Sequence, residues 1–511
     1  MNCVTKKKLG FILGITTLLF MAAHGFRMFN NMYSGDALVD VYQADYAWEI
    51  SLGRCFNPIW VFIRGTILSP WFLSLLAIVW LSLSVFFISD LFKIEDYLSL
   101  GIMSGVLGVN VIITSLMASY LPWIDLYTFA IFLNVFGVWL FRKKKIWAYA
   151  VGVLCITLSL GTYQAYVMIG VSLVMMLTFI GLLEEEKIGK TVKEVLVNAL
   201  MFLISGGLYY LSWKLIQAVF GVWTANTYNG LSSLGNYEDT SVISLVFGAY
   251  RRFFEFFLKP DAFVSLYYKN QSLSIIWQVL IAAFNVLLIL FVAGMLIYNG
   301  IKKKAGALKI VLLTIGLLIF PLGCNIVYVL SKGMEHTLMV YSFLFVYIFA
   351  VILAFSIDRE VKVKKILKWA VSVALIVICW SNMVFSNQIY SRRGVEEQAT
   401  LSLITRVVGE IENTEGYKPG ETKVAIVGTF ENSPVIKVPD GLSDLSVLGM
   451  GSTAAFYEGT EMAYIKNCLH ANMVFEGIDR NQEEIAAMPA YPEKGSIEFV
   501  GDVLVVKIGN Y

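Results

Sequence analysis

The sequence is poor in charged residues and in the side chains that build metal or redox centres. Charged residues make up 15% of the 511 positions and hydrophobic residues 58%, a balance that excludes an ordinary soluble domain. The six cysteines are scattered without a CxxC pair, so we interpret them as small hydrophobic side chains or isolated thiols. The three histidines, His24, His336 and His470, are too few and too far apart to indicate a zinc site.

Long apolar runs dominate the chain instead. They recur with lengths of about 20 residues, enough to cross roughly 30 Å of hydrocarbon, and predict an α-helical polytopic membrane protein with about 11 transmembrane helices. The predicted spans cover residues 9–26, 71–91, 97–117, 126–141, 146–160, 165–183, 195–220, 273–298, 308–330, 337–356 and 369–384. Basic clusters such as Lys6–Lys8 and Arg142–Lys145 recur at alternate turns, which predicts a cytoplasmic N-terminus. The first run resembles a signal peptide, but we interpret it as a retained helix because further spans follow.

An acidic segment follows the first predicted span on the outer side. Within residues 27–70 it carries Asp36, Asp40, Asp45, Glu49 and Arg54. Carboxylates are costly beside hydrocarbon, so the cluster suggests a functional site, with a solvated loop as the ordinary alternative. Residues 59–69 are apolar, aromatic and too short for a crossing, and they predict a re-entrant or interfacial helix.

A second outer segment is predicted over residues 221–272. Its first part is polar and rich in turn-forming residues, and its second part is aromatic with Arg251 and Arg252. This pattern predicts an amphipathic helix that lies in the membrane interface.

The composition changes after the last predicted span. Charged and turn-forming residues become frequent, so we predict a transmembrane domain over residues 1–385 and a small extracytoplasmic α/β domain over residues 386–511. An amphipathic helix is expected over residues 391–411, and strands over 423–429 and 496–508. The first strand ends in a lone glycine turn, not in a GxGxxG or Walker motif, so a nucleotide site is not expected.

Polar residues beyond what turns require fall in the predicted outer loops, so they could converge on one site. Besides the acidic segment they are Asp125, Tyr163, Gln164, Arg251, Arg252, Glu335 and His336. Arginine can hold a lipid-linked phosphate, and a carboxylate can accept the proton of an attacking sugar hydroxyl. The ordinary alternatives are headgroup contacts for the arginine pair and turn packing for Tyr163 and Gln164.

Three stretches resemble the Gtr type-II bacterial glucosyltransferases. They are the acidic outer loop with its Gly53-Arg54 step, the turn from Ser159 to Tyr166 with its Tyr-Gln pair, and residues 386–393 after the last span. The resemblance implies a GT-C-like enzyme that moves a sugar, usually glucose, from a polyprenyl-phosphate donor to a cell-surface polysaccharide with inversion. It also implies a catalytic aspartate in the first outer loop.

Carried onto this sequence, that aspartate is Asp36, with Asp40 or Asp45 as the other acidic partner. No arginine stands in residues 333–338, where one is expected in this family, so the donor phosphate is assigned to Arg251, Arg252 and Arg54. Substrate contacts are assigned to Asp125, Tyr163, Gln164, Glu335 and His336.

We therefore predict a glycosyltransferase of the bacterial plasma membrane. Its expected partners are the lipid-linked sugar donor, a surface glycan acceptor and membrane lipid, and not nucleic acid. No obligatory cofactor is expected, because a monophosphate donor needs less charge neutralisation than a diphosphate, with a divalent cation as the alternative. The alternative functions are a lipid-linked oligosaccharide flippase or other transporter, which would carry ionisable residues within its spans, and a polysaccharide polymerase.

Overall fold

The computed structural model describes residues 3–41, 46–184, 187–225, 241–259, 262–263, 268–270, 274–302, 306–356, 361–431 and 433–509. The first helices are α1 (Cys3–Met28), α2 (Asp36–Val39), α3 (Tyr46–Ser51), α4 (Asn57–Arg64), α5 (Pro70–Leu91), α6 (Tyr97–Gly108), α7 (Val111–Ser119), α8 (Ile124–Phe141), α9 (Ile146–Leu160), α10 (Val167–Glu184) and α11 (Ile188–Phe220). They are followed by α12 (Val242–Leu258), β1 (Ala262–Phe263), β2 (Tyr268–Asn270), α13 (Ile275–Lys302), α14 (Ala307–Leu330), α15 (Phe345–Ser356) and α16 (Val361–Glu412). The C-terminal region contains β3 (Lys423–Val427), α17 (Asp440–Ser443), β4 (Leu445–Val447), α18 (Thr460–Tyr464), β5 (Val474–Phe475), α19 (Glu483–Ala487), β6 (Ile497–Val500) and β7 (Val503–Lys507).

Apolar helices form most of the molecule, as the composition predicts. Among the described residues, eight helices are long and apolar enough to cross a membrane, namely α1, α5, α8, α10, α11, α13, α14 and α16. The helices α6 and α7 form a ninth candidate that is bent by 44°. Two further apolar helices, Ile146–Leu160 and Tyr341–Phe355, are shorter. A helix of 15 residues rises only about 22 Å, less than the roughly 30 Å of the hydrocarbon layer. The predicted 11 spans would require both of them, so that number stays a prediction.

Basic residues collect at one end of the helix bundle. Lys8, near the start of α1, donates from Nζ to the Ile94 carbonyl at 2.8 Å, and Arg142 pairs with Glu194 at 2.5 Å. The acidic segment and the turns after α7 and α14 meet at the other end. Lys8 and the cluster at Arg142 thus lie at the end away from the cavity, and which end faces the cytoplasm stays a prediction.

The two segments predicted to lie in the membrane interface, residues 59–69 and the aromatic part of 221–272, contain the helices α4 and α12. In α4 the side chains of Phe62 and Ile63 are 84% and 68% exposed while Asn57 and Val61 are buried, and the helix ends at Gly65 with φ 92°. In α12 one face is buried and the other exposes aromatic and aliphatic side chains. An exposed apolar face on a short surface helix is the pattern of a helix that lies in the membrane interface.

The last predicted span and the amphipathic helix after it are one element. Helix α16 has 52 residues and contains no proline, so it rises about 78 Å without interruption. Its polar stretch does not break it, because Arg392 and Arg393 are buried and both pair with Glu396. The predicted boundary at residues 385/386 therefore falls inside a helix, and the domain division stays a prediction.

The C-terminal region folds around a four-stranded sheet of order β5-β3-β7-β6. Strand β3 pairs in parallel with β5 and β7, which confirms the first predicted strand. The second, predicted over residues 496–508, is divided into β6 and β7, which form an antiparallel hairpin. A second sheet, β1-β2-β4, joins the strands that follow α12 to this region. Leu38 of α2 is fully buried in the same hydrophobic core as Leu403 and Val424, so the acidic segment is packed onto the C-terminal region.

Candidate active site

A cavity of about 690 Å³ lies at the acidic end of the bundle. Its walls come from the acidic segment, the turns after α7 and α14, and the C-terminal region. The polar and aromatic side chains that line it are Asp36, Asp40, Trp48, Glu49, Arg54, Tyr120, Trp123, Tyr127, Glu335, His336 and Tyr457. Five of the predicted site residues thus meet in one place, namely Asp36, Asp40, Arg54, Glu335 and His336.

Asp36 presents its carboxylate to the cavity from the first turn of α2. The backbone reaches it through Gly35, whose φ of 52° favours glycine and whose added Cβ would lie 2.9 Å from the Phe456 ring. The Asp36 side chain is exposed, and its Oδ1 accepts a hydrogen bond from the Tyr457 hydroxyl at 3.1 Å. The protein groups packed around this carboxylate reduce its hydration, which raises the pKa of Asp36. The hydrogen bond from Tyr457 and the charge of Arg54 oppose that rise. An accessible carboxylate with a raised pKa is suited to accept a proton.

The two alternative aspartates are placed differently. Asp40 caps the C-terminal end of α2 and lines the cavity, but it is only 9% exposed. Asp45 lies outside the described residues. Among the described aspartates of this segment, Asp36 is therefore the more accessible.

Arg54 is held in the cavity wall by a carboxylate that was not among the predicted site residues. Its Nη1 lies 3.1 Å from Glu49 Oε1, and Asn57 Nδ2 donates to Glu49 Oε2 at 2.6 Å. Burial raises the pKa of Glu49, while Arg54 and Asn57 oppose that rise. The Arg54 guanidinium also lies 5.3 Å from the centre of the Tyr163 ring. The arginine is thus oriented on two sides, as a phosphate-binding group requires.

Glu335 and His336 also line the cavity and carry little charge at neutral pH. Burial raises the pKa of Glu335 to about 8, against the charge of Arg252 and a contact with Asn325. Burial and then the charge of Arg54 lower the pKa of His336 to about 3. His336 Nε2 lies 3.4 Å from the Tyr163 hydroxyl, and Tyr163 stacks on Tyr127 with ring centres 4.4 Å apart. Uncharged groups of this kind suit contacts to sugar hydroxyls.

A family model for glucosyl transferase GtrII matches residues 25–355, more than half of the chain. The chain belongs to this family. The match covers the acidic segment and the Glu335–His336 turn, but it ends before Leu448 and Tyr457. No curated protein and no solved structure matches the chain significantly. Membership confirms the resemblance seen in the sequence and makes the protein a membrane glucosyltransferase, with a sugar donor and a glycan acceptor.

Two residues of this GtrII protein that are predicted to contact substrate lie outside the cavity lining and make contacts within the protein. Asp125 is fully buried, lies 3.0 Å from Arg64 Nε and accepts a hydrogen bond from Trp60 at 2.8 Å. Gln164 Nε2 donates to the Leu52 carbonyl and to the Tyr209 hydroxyl, both at 2.9 Å. Neither residue lines the cavity, since Asp125 contacts α4, and Gln164 contacts the turn after α3 and helix α11.

The Gln164 side chain packs against the turn at Gly53. Gly53 has φ 81°, and an added Cβ would lie 2.5 Å from Gln164 Nε2 and closer still to the Tyr209 hydroxyl. The chain therefore turns sharply just before Arg54, against Gln164 and Tyr209. This explains structurally the Gly-Arg step and the Tyr-Gln pair that carry the resemblance.

The arginine pair of α12 does not line the cavity. The Arg251 side chain is 71% exposed and pairs with Glu255 at 3.0 Å. Arg252 lies 3.9 Å from both Glu255 and Glu335, so it contacts a cavity residue, Glu335, without lining the cavity itself. Of the three arginines predicted to bind the donor phosphate, Arg54 is the one that lines the cavity, and its role stays a prediction.

Sequence reasoning missed the aromatic and C-terminal parts of the wall. Trp48, Tyr120 and Trp123 resemble ordinary interfacial aromatics in the sequence, and Tyr457 is 421 positions away from its partner Asp36. Glu49 was recognised as part of the acidic segment but was given no role, although a carboxylate five positions before an arginine could have indicated the ion pair. Within the described residues no group of three or more His, Cys, Asp or Glu side chains is arranged to hold a metal ion, and the cofactor requirement stays a prediction.

We expect Asp125→Ala to lower the free energy of unfolding by about 3–5 kcal/mol, because it leaves the buried Arg64 guanidinium without its carboxylate. The Arg64 and Asp125 side chains are 4% and 0% exposed. Thermal and denaturant unfolding in detergent measure the loss. Glu194→Ala is the matched control, since it breaks the exposed pair with Arg142 and should cost less than about 1 kcal/mol. Equal losses in the two variants would contradict the structural role of Asp125.

Proposed function

We propose that this GtrII enzyme transfers glucose from a polyprenyl-phosphate donor to a cell-surface glycan on the outer face of the plasma membrane, with inversion. The observation that carries the proposal is one cavity lined by an accessible carboxylate, Asp36, and by a guanidinium, Arg54, that Glu49 holds in place. Each group supplies one half of a group transfer, a proton acceptor and an anion site.

The reaction is a single displacement at the anomeric carbon. Asp36 takes the proton of the acceptor hydroxyl as its oxygen bonds to that carbon. The bond from the anomeric carbon to the phosphate oxygen breaks, and polyprenyl phosphate leaves with the electron pair. Arg54 stabilises the charge that grows on the phosphate, so a general acid is not needed. Attack from the side opposite the leaving group inverts the anomeric configuration.

Apolar surface next to the cavity supports a lipid-linked donor. Val39 and Trp48 line the cavity and are 46% and 45% exposed. Helix α4, which follows Arg54 closely, exposes Ile59, Phe62 and Ile63. A phosphate bound at Arg54 would therefore lie beside surface suited to an isoprenoid chain at headgroup depth.

The charge difference between the ends of the bundle supports the outer-face placement. The end marked by Lys8 and Arg142 is opposite the cavity. Basic loops stay in the cytoplasm under the positive-inside rule, which places the N-terminus inside and the cavity and C-terminal region outside. An enzyme so placed would meet a lipid donor delivered across the membrane and a glycan that is already exported.

The proposal predicts glucose transfer in sealed right-side-out membrane vesicles that hold polyprenyl-phosphate-glucose and receive the acceptor only from outside. The acceptor is surface polysaccharide from cells that lack this protein, and radiolabelled glucose in the polymer is the readout. We expect a new side-branch glucose whose anomeric configuration is opposite to that of the donor.

Three results would overturn parts of the proposal. Transfer from a nucleotide-linked glucose would remove the lipid donor, and transfer only in inverted vesicles would remove the outer-face placement. A change in polysaccharide chain length without a new branch would favour a polymerase. Vesicles without the protein are the control for background transfer.

A further inference from the structure

The C-terminal region forms part of the cavity although the family match stops at residue 355. Leu448 and Tyr457 both line the cavity and belong to the segment between β4 and α18. A region outside the matched part of the chain therefore faces the reacting groups of the proposed transfer.

Helix α16 fixes this segment at its first half. Arg392 donates to the carbonyls of Leu445 and Gly451, the second at 2.8 Å, and Arg393 donates to the Gly449 carbonyl at 3.3 Å. Both guanidiniums are buried and pair with Glu396 at 2.7 and 2.8 Å. Because α16 continues from the membrane part, the segment is tied to the same rigid element as the bundle.

Contacts with α2 and with the residue before it hold the chain on both sides of Tyr457. The Gly35 amide donates to the Ala454 carbonyl at 3.1 Å, and Asn467 Nδ2 donates to the Leu38 carbonyl at 2.8 Å. These bonds lie on either side of Asp36 along the chain. The backbone that carries Asp36 is therefore aligned against the backbone that carries Tyr457.

We propose that Tyr457 is a positioning residue for the transfer reaction, whose hydroxyl holds the Asp36 carboxylate towards the acceptor and makes the C-terminal region part of the active site. The proposal rests on the proposed function of Asp36 as proton acceptor. The contact that carries it is the 3.1 Å hydrogen bond from Tyr457 to Asp36 Oδ1, which leaves Oδ2 for the acceptor hydroxyl.

The charges around Asp36 give the contact a measurable consequence. The titratable groups that face Asp36 or line the same cavity are Asp40, Glu49, Arg54, Tyr120, Tyr127, Glu335, His336 and Tyr457. The hydrogen bond from Tyr457 lowers the pKa of Asp36, and burial raises the pKa of Tyr457, which keeps its proton. Removing the hydroxyl should therefore raise the pKa of Asp36.

The predicted sign follows from the need for an ionised base. Transfer rises with pH as Asp36 loses its proton, so a higher pKa shifts the acidic limb of the kcat profile upward. A hydrogen bond to a charged group corresponds to roughly one pH unit. We expect Tyr457→Phe to shift this limb by about that amount, and to lower kcat about tenfold on the plateau above the limb because the carboxylate is no longer held towards the acceptor, with little change in donor KM.

The experiment compares Tyr457→Phe with Tyr464→Phe in the full-length protein, using polyprenyl-phosphate-glucose across a pH series. Tyr464 donates to Glu397 at 2.7 Å in the same region without lining the cavity, so its loss tests general destabilisation. The proposal is supported if only the Tyr457 variant shifts the acidic limb. An unchanged limb, or equal shifts in both variants, overturns it.

The test separates this proposal from the proposed function. If Asp36→Asn is inactive and Tyr457→Phe keeps the wild-type profile, the positioning role fails while the assignment of Asp36 stands. If Asp36→Asn is fully active, the assignment of the base itself fails.

Discussion

Asp36→Asn is expected to reduce kcat for glucose transfer by roughly 10² to 10⁴-fold, the range for loss of a general base. The amide keeps the size of the side chain and can still accept the hydrogen bond from Tyr457, so the local structure should be retained. It cannot take a proton from the acceptor hydroxyl. Single-turnover transfer with saturating donor and acceptor measures the loss, and the unfolding midpoint checks that the protein is intact.

Asp40→Asn is the matched control for that variant. Asp40 lines the same cavity in the same short helix but is 9% exposed, so its substitution should lower kcat less. If Asp40→Asn were the inactive variant, the base would be Asp40. If both retained full activity, neither described aspartate of the segment would be the base.

The membrane part of the fold could be predicted from the sequence because hydrocarbon imposes a length on apolar helices. Most helices predicted from apolar runs are present, but the run over 97–117 is divided into α6 and α7, and the run over 337–356 begins with 3-10 turns before α15. The segments predicted to lie in the interface form α4 and α12. The continuity of α16 could not be predicted, because its polar stretch resembles the start of a new domain. The pairs of Arg392 and Arg393 with Glu396 are local to the helix, but the burial of these side chains and their bonds to the carbonyls of residues 445, 449 and 451 depend on tertiary packing.

The site could be predicted in part, for a related reason. Alternation of the spans places the loops of Asp36, Arg54 and Glu335 on one face, and this grouping follows from topology alone. The orientation of a side chain within a loop does not follow, so the sequence could not show that Asp125 and Gln164 make contacts within the protein and do not line the cavity. Tyr457 was out of reach, because contacts across 421 positions depend on how the C-terminal region packs.

The environments of four carboxylates show why residue type alone could not assign roles. Asp36 is accessible and bonded to one tyrosine, Glu49 is paired with Arg54, and Asp125 is buried against Arg64. Glu335 is buried with its nearest guanidinium 3.9 Å away, and its raised pKa keeps it largely neutral. Only an accessible, ionised carboxylate can act as the base, so burial and pairing decide between them.

Arg54→Ala is expected to lower kcat/KM for the lipid-linked donor by roughly 10² to 10³-fold, the range for loss of one group that stabilises developing negative charge. Arg54→Lys keeps the charge but loses the planar fork, so we expect an intermediate loss. Removing the guanidinium also leaves Glu49 buried with only Asn57 as a partner, which should destabilise the protein. The double variant Glu49→Gln/Arg54→Met removes both charges, and it should regain stability without regaining donor use.

Arg251→Ala is the control for donor use, because its side chain is 71% exposed and does not line the cavity. It should leave kcat/KM for the donor within about twofold of the wild type, as surface substitutions usually do. Donor titrations at fixed acceptor, with unfolding midpoints measured in parallel, separate loss of phosphate binding from loss of fold. A strong donor defect in Arg251→Ala together with normal donor use in the double variant would move the phosphate site to α12. The reverse pattern assigns the phosphate site to Arg54, because only a group that lines the cavity can stabilise the negative charge that develops on the phosphate.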